Sequence, residues 1–337
     1  MSMKRYKSIN HDAVSEIEIK KLWSDFDLPE IVSIESQAEY SSTGFIIITT
    51  KNKYYLCLHP AKPSIFSRSQ NDLLGEIDIL QRLREKRLPV ARPIATKDDK
   101  LIISVKGRKG FLRGYLECEA LKKPSTVNLT QAGVLLAKIH LSLRRWTPPH
   151  RRTQFWGPEK IRRYWTKNKK IILASKLPDK KALVDRLEQK QHEFKFSKTL
   201  PTGILHEDFG QRHVLWHKNK ITGVIDFDRS YRGLLILDVG QAIRGWCFDP
   251  AWKKLNLEKL NYFLSGYQSQ RQLSVAEKKH LVQAIKFGLV ERGLSFLLRG
   301  LNYNNREWLD FARRSLFNLV DEVEKMAPEI EKIKNTK

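Results

Sequence analysis

One short hairpin signal stands alone inside an otherwise helical half-chain, with acidic residues on both sides of it. The stretch HEDFGQRHVLWHKNKITGVIDFD, residues 206 to 228, holds Val214-Leu215-Trp216 and Ile221-Thr222-Gly223-Val224-Ile225 around the turn His217-Lys218-Asn219-Lys220. Two β-branched and aromatic runs joined by a polar turn pair as antiparallel strands. A hairpin returns its outer ends to one edge, so Asp208 and Asp226 are expected near a common centre although they are 18 residues apart. Paired carboxylates can hold a divalent cation and orient a hydroxyl. Taken singly, each aspartate has a plainer reading, one turning a loop and the other ending a strand.

Upstream the patterning is that of a sheet with one helix. Phe45 to Thr50 and Tyr54 to Leu58 predict two strands around the turn Lys51-Asn52-Lys53. Leu73, Ile77, Leu80 and Leu83 recur at helical spacing and predict a helix from Asn71 to Lys86, ended by Pro89. Leu101 to Val105 and Phe111 to Leu116 add two strands around a Gly-rich turn. After residue 120 helices dominate: Asn128 to Leu143 with Asn128 or Thr130 as N-cap, then Leu235 to Trp246, Leu257 to Tyr267, Ser274 to Gly300 and Glu307 to Lys325. The implied division is a polar N-terminal extension (1–19), a sheet-rich lobe (20–115), a larger helical lobe carrying the hairpin (116–330) and a frayed tail (331–337).

Charge and cysteine usage narrow the classes. Lys and Arg exceed Asp and Glu by 62 to 37, a formal +25 that suits anionic ligands. Residues 148 to 198 carry 15 Lys/Arg against 5 Asp/Glu, which reads as a solvated helical face, with a nucleic-acid surface as the sharper alternative. Trp156 and Trp165 there read as core anchors. Cys57, Cys118 and Cys247 are too few and too scattered for a disulfide framework or a cysteine zinc site. The first 19 residues lack an apolar signal segment, and no apolar run is long enough to span a bilayer, so the expectation is a soluble cytoplasmic protein. There is no G-x-S-x-G elbow, Walker A loop or H-E-x-x-H motif. A zinc site of His206, His213 and His217 is disfavoured, because strand spacing puts the last two about 13 Å apart.

The hairpin motifs also carry a family likeness. His206-x-Asp208, a hairpin, and then Val224-Ile225-Asp226-Phe227 resemble the H-G-D-x-x-x-x-N and V-I-D-F/W segments of the aminoglycoside phosphotransferase and choline kinase superfamily. Within it, Asp238-Val239-Gly240, Trp246 to Asp249, Gly266 to Ser269 and Leu88 to Ile94 are similar to ThrB-type homoserine kinases. The resemblance covers roughly residues 30 to 320. It implies an α+β, protein-kinase-like two-lobed fold, with a small antiparallel-sheet N-lobe and a larger, mostly helical C-lobe. It also implies ATP-dependent transfer of the γ-phosphate to a hydroxyl of a small molecule, homoserine-like or another small alcohol or amino alcohol. Mg2+ is the implied metal, with Mn2+ as the alternative. A polycationic acceptor is disfavoured by the +25 charge.

The likeness assigns roles residue by residue. Asp208 would receive or orient the acceptor proton, with His206 bracing its loop, and Asp226 would hold the metal. Ser41, Ser42, Thr43 and Gly44 would cover the phosphates, Glu76 is the helix glutamate, and Leu112, Arg113 and Tyr115 belong to the adenine-binding hinge. Asp238 would be structural, and Trp246, Tyr267 and Arg299 are candidates for the acceptor side. Two positions depart from the pattern. His213 stands where the second metal ligand is normally Asn, and Mg2+ prefers oxygen. Cys57 stands at the strand-lysine position, leaving Glu76 to a substitute cation such as Lys51, Lys53 or His59. These departures support a second reading, a pseudokinase scaffold. A basic nucleic-acid-binding protein is the third.

Overall fold

Serines start several helices here by the same local device. Ser15, Ser69, Ser125 and Ser274 each accept the N–H of the residue three positions on, and that residue's side chain returns to the serine N–H. The computed structural model describes residues 14–38, 42–61, 68–119, 121, 123–153, 155–249 and 251–333. The first elements are α1 (Glu16–Trp23), β1 (Ile31–Ala38), β2 (Thr43–Thr49), β3 (Lys53–Leu58), α2 (Gln70–Glu85), β4 (Pro93–Ile94), β5 (Ile103–Val105) and β6 (Arg108–Gly114). Then follow α3 (Thr126–Leu143), α4 (Pro158–Ala174), α5 (Lys180–Glu193), β7 (Thr202–Leu205), β8 (Val214–His217), β9 (Lys220–Val224) and β10 (Tyr231–Leu234). The chain ends with α6 (Leu235–Trp246), α7 (Leu257–Gln270), α8 (Val275–Asn302), α9 (Arg306–Arg314), a π-helical segment (Ser315–Leu319), α10 (Val320–Lys325) and α11 (Ala327–Ile333).

The chain divides into two compact units. The first comprises residues 1–119, 147–153 and 215–228; the second comprises 120–146, 154–214 and 229–337. The hairpin β8–β9 therefore groups, from Leu215 on, with the sheet-rich unit rather than with the helices that flank it in sequence. The reason is local pairing: Val224 bridges Val90, and Glu119 bridges Trp216.

In the first unit an antiparallel sheet runs β1-β2-β3-β6-β4, with β5 on β6. Alternation along β2 and β3 buries Phe45, Ile47, Tyr54, Leu56 and Leu58 on one face, where Ile19, Trp23 and Phe26 cover them. The N-terminal segment is thus not a mere extension, since α1 supplies part of this core.

In the second unit, α3 packs on α7 through two glycines. A Cβ on Gly133 would lie 2.1 Å from the Phe263 carbonyl oxygen, and one on Gly266 would lie 2.1 Å from that of Thr130. The helix α3 is capped by Ser125, and Asn128 is the reciprocal partner rather than the cap. The basic stretch forms α4 and α5. Trp165 is buried there, and Lys190 is buried against Glu193 and Glu324, so part of the charge is spent internally. Ile330 is fully buried, so helix α11 continues packed order to Ile333. Among the described residues no helix is long and apolar enough to cross a membrane.

Candidate active site

In the second unit, β7 pairs with β10 and ends at Leu205, so the chain turns off the sheet through His206-Glu207-Asp208. Glu207 takes a left-handed backbone (φ 71°), an uncommon conformation for a residue with a side chain. What holds it is Asp238, in the first turn of α6. Its Oδ2 accepts the His206 N–H at 2.7 Å and its Oδ1 accepts the Glu207 N–H at 2.8 Å. Oδ2 also accepts from His140 Nε2 at 2.9 Å, and the other His140 nitrogen meets the Tyr267 hydroxyl at 2.7 Å. That hydroxyl accepts from Arg271, which pairs with Glu277. Since a carboxylate only accepts, the proton of His140 sits on Nε2 and the tyrosine hydroxyl donates to Nδ1. Burial would raise the Asp238 carboxyl, but the hydrogen bonds from His140 and from the His206 N–H hold it below the usual range. The Asp208 N–H donates to His206 Nδ1 at 3.2 Å, which ties the loop to its own histidine.

Asp208 is 5% exposed and surrounded by cations. Arg292 and Arg244 reach Oδ1 at 3.0 and 3.2 Å, and Arg212 reaches Oδ2 at 2.9 Å. Burial alone would raise its carboxyl; the guanidiniums of Arg292, Arg212 and Arg244 hold it well below the usual carboxylate range. The helix α6 comes this close because Gly245 meets Gly210, where a Cβ on Gly245 would lie 2.8 Å from the Gly210 Cα. His213 closes the loop: its Nδ1 donates to the Asp208 carbonyl at 2.7 Å, and its Nε2 accepts from Arg212 Nε at 2.9 Å. Both imidazole nitrogens are therefore engaged by protein groups.

In the first unit, β9 ends at Val224, and Asp226 follows with a left-handed backbone (φ 69°). Arg152 Nη1 donates to the Phe227 carbonyl at 2.7 Å and Nη2 donates to that of Asp228, while Arg68 pairs with the Asp228 carboxylate. Burial and the neighbouring Asp226 both push the Asp228 carboxyl up, with Arg68 opposing. Two acids this close share a proton unless a cation relieves them. Glu76, buried on α2, faces the same chemistry. Burial pushes its carboxyl up to about 7, with Arg152 the leading opposing charge.

A carboxyl that titrates at 4.5 unfolded and near 7 folded stabilises the fold fully below pH 4.5 and loses that contribution as pH rises through 7. Between those limits it amounts to up to ~3 kcal/mol. Urea denaturation of Glu76→Gln should accordingly show a flatter stability profile from pH 5 to 8 than the parent. Parallel profiles would refute the assignment.

The sequence profile of the phosphotransferase enzyme family matches residues 34–272, which takes in both aspartate loops. The chain belongs to the phosphotransferase enzyme family. Curated relatives include a homoserine kinase of Agrobacterium fabrum, 28% identical over 271 residues, covering 80% of this chain and 80% of the relative. Another homoserine kinase, from Chelativorans sp., is 27% identical over 320 residues, covering 92% and 91%. Among solved structures, a microcompartment-associated aminopropanol kinase superposes with a TM-score of 0.69 at 18% identity, covering 94% of this chain and 99% of that one. Amicoumacin kinase superposes at 0.62 with 17% identity, covering 96% and 94%. The kinase-like fold, with its small antiparallel sheet and helical remainder, is thereby shown, and the chain is a phosphotransferase whose relatives are small-molecule kinases.

The remaining site expectations of this phosphotransferase distribute unevenly. Ser41 lies outside the described residues. Ser42 is buried, and Thr43 and Gly44 are strand residues of β2, with Thr43 Oγ1 accepting from Arg108 at 2.9 Å. Cys57 sits in β3 opposite Gly44 and Phe111. Leu112 and Arg113 lie within β6, and the N–H groups of Gly114 and Tyr115 donate to Arg92 and Lys53. Those two donors are used by the sheet, so the connecting segment begins beyond Tyr115. Trp246 and Tyr267 are fully buried, with the indole N–H on the Phe209 carbonyl and the phenol on His140 and Arg271. Both act as braces of the loop rather than as surfaces for an acceptor. Arg299 is half-buried, its guanidinium 6.0 Å from the Phe296 ring centre.

None of the suggested substitute cations serves Glu76. Lys53 pairs with Glu117, Lys51 is exposed, and burial followed by Arg68 pulls His59 down to about 3, so it is neutral. The leading charge opposing the rise of Glu76 is Arg152, which sequence reading missed inside a run of basic residues. Arg212, Arg244 and Arg292 were missed as well.

Proposed function

We propose that this chain is an ATP-dependent kinase of a small-molecule hydroxyl, active rather than a scaffold, with Asp208 handling the acceptor proton and Asp226 serving the metal. The observation that supports it best is the Asp208 loop, held in an uncommon backbone conformation by Asp238. The acceptor oxygen forms a bond to the γ-phosphorus while the bond from that phosphorus to the bridging oxygen breaks. ADP leaves with the electron pair, and Asp208 receives or orients the hydroxyl proton. A carboxylate of low basicity suits a loose transition state, which needs positioning more than early deprotonation.

Asp226 and Asp228 are oxygen donors whose mutual repulsion a divalent cation would relieve, so the first unit fits Mg2+. When bound, the metal would supply charge neutralisation to the transferring phosphates. His213 does not fit a second metal position, because its nitrogens are taken by Arg212 and the Asp208 carbonyl. Arg152 and Arg68 supply positive charge in the unit where the strand lysine is Cys57. The adenine edge is assigned to backbone beyond Tyr115.

Chelation by EDTA should abolish ADP release, and added Mg2+ or Mn2+ should restore it. Asp226→Ala should lower turnover by about 10³-fold, as loss of a metal or phosphate-charge contact does. His213→Ala should shift the metal concentration for half-activity by no more than about threefold, within the ordinary context scatter of single contacts. A metal requirement that moves with His213 and not with Asp226 would refute this assignment. The pseudokinase reading is favoured by one observation, the three guanidiniums that depress Asp208. It requires that no alcohol be phosphorylated under any of these conditions.

A further inference from the structure

Between α6 and α7, Trp252 takes a left-handed backbone (φ 53°), which glycine adopts freely and a bulky side chain rarely does. Asp249 builds the turn that holds it. Its carbonyl accepts the Trp252 N–H at 2.9 Å, and its Oδ1 accepts the N–H groups of Lys253 at 2.6 Å and Lys254 at 3.3 Å. From α9, Arg314 donates to the Ala251 carbonyl at 3.3 Å. An indole is thus kept where the backbone favours a residue without a side chain, and strain of this kind concentrates at ligand sites.

Other rings fix the indole. Phe248 stacks on it with the planes 5° apart, and Phe311 meets it edge-on at 5.4 Å. Phe296, on α8, packs on Phe311 at 4.6 Å. Phe248 is buried, but Trp252, Phe296 and Phe311 are each half-buried, so the cluster keeps aromatic surface in contact with solvent. A lone exposed apolar residue is ordinary, whereas adjoining ones mark a binding surface. Arg244 joins this surface to the Asp208 loop. Its guanidinium carbon lies 5.9 Å from the Trp252 ring centre, its Nε donates to Gln241 at 2.9 Å and its Nη2 reaches Asp208 Oδ1 at 3.2 Å. One anchored guanidinium therefore separates the indole from the carboxylate that handles the acceptor proton. With Arg244 over Trp252 and Arg299 6.0 Å from the Phe296 ring centre, an ammonium arriving at these rings would meet like charge.

We propose that this cluster is an acceptor subsite: the acceptor carries its hydroxyl on an uncharged apolar or aromatic body, which packs on Trp252 while the hydroxyl reaches Asp208. The assignment rests on the phosphotransferase reading and specifies its substrate class.

The test compares primary alcohols that differ in the body behind the hydroxyl. Transfer from ATP is measured to benzyl alcohol, 2-phenylethanol, 3-phenyl-1-propanol, 1-butanol, homoserine, 3-amino-1-propanol and 4-hydroxybutyrate, with the parent, Trp252→Leu and Trp252→Phe. Binding of the aryl alcohols to the same proteins is measured by calorimetry without ATP, and thermal melts accompany each variant. One aryl alcohol should exceed 1-butanol and the three charged alcohols in kcat/KM by about tenfold or more, the scale of burying one aromatic ring. Trp252→Leu keeps apolar bulk against Phe248 and Phe311, yet it should lower the aryl-to-butanol ratio by about threefold or more, mainly through KM. Trp252→Phe should retain part of the ratio. Better use of any charged alcohol than of every aryl alcohol, or a ratio indifferent to Trp252→Leu in a protein that melts as the parent does, overturns the proposal. Should Trp252→Leu fail to fold, the parent's ranking of the alcohols and the Trp252→Phe ratio still decide. Failure of the two readings is distinguishable. Trp252-dependent binding of aryl alcohols without transfer to any alcohol would keep the subsite and reject the kinase. Transfer to charged alcohols without aryl-alcohol binding would do the reverse.

Discussion

Asp208→Asn is expected to lower turnover by about 10³-fold, within the range that loss of a positioned proton acceptor produces. The affinity for nucleotide should hold, because Asp226 and Asp228, the metal donors proposed above, are unchanged in this variant. The same change carries a structural cost. It removes the anion that Arg212, Arg244 and Arg292 share, leaving the buried guanidiniums of Arg244 and Arg292 to repel one another. Breaking a buried charge pair in this way costs about 3–5 kcal/mol. A thermal melt must therefore accompany the kinetics, and turnover must be compared below the onset of unfolding. Loss of activity in step with loss of fold, with normal turnover of the folded fraction, would show Asp208 to be structural only.

Asp238→Ala should be the most damaging single change outside the aspartate pair. The carboxylate serves two backbone N–H groups and an imidazole, all fully buried. Each orphaned donor costs ~1–3 kcal/mol, so the sum is on the order of 5 kcal/mol. Tyr267→Phe removes one hydroxyl from the far end of the same network and should cost about 1 kcal/mol. The ratio matters more than either value. Urea midpoints that fall equally for the two variants would mean that the His140–Asp238 contact, and not the loop N–H groups, carries the stability.

The first unit's central sheet was legible because β2 and β3 alternate β-branched and aromatic residues cleanly. The strand β1, IVSIESQA, was not, since an edge strand with polar outward positions looks like a loop. The four-residue strands β7 and β10 each contain a glycine and fall below the length at which alternation registers. Helix boundaries were good where apolar spacing was regular, as in α6. The long C-terminal helix was read as one piece because its interruption is a π-helical segment, which keeps helical periodicity nearly intact.

The aspartates and His206 were legible from their motif, but their environment was not. Arg212, Arg244 and Arg292 lie far apart in a chain with 62 basic residues, so none stands out by composition. One signal was present: Glu291-Arg292 sits inside the apolar run of α8, where a charged pair must be buried and partnered. Arg152 carried no such mark. Its role follows from packing against Gly75, where a Cβ would lie 2.5 Å from the arginine Cγ.

Phosphorus NMR of the parent protein with Mg2+, ATP and the alcohol panel tests the central claim most directly. A new phosphomonoester resonance should grow with ADP only when a hydroxyl acceptor is present, and Asp208→Asn should suppress it while still binding nucleotide. Bound nucleotide with no phosphomonoester from any acceptor would contradict the account and leave the scaffold reading in its place.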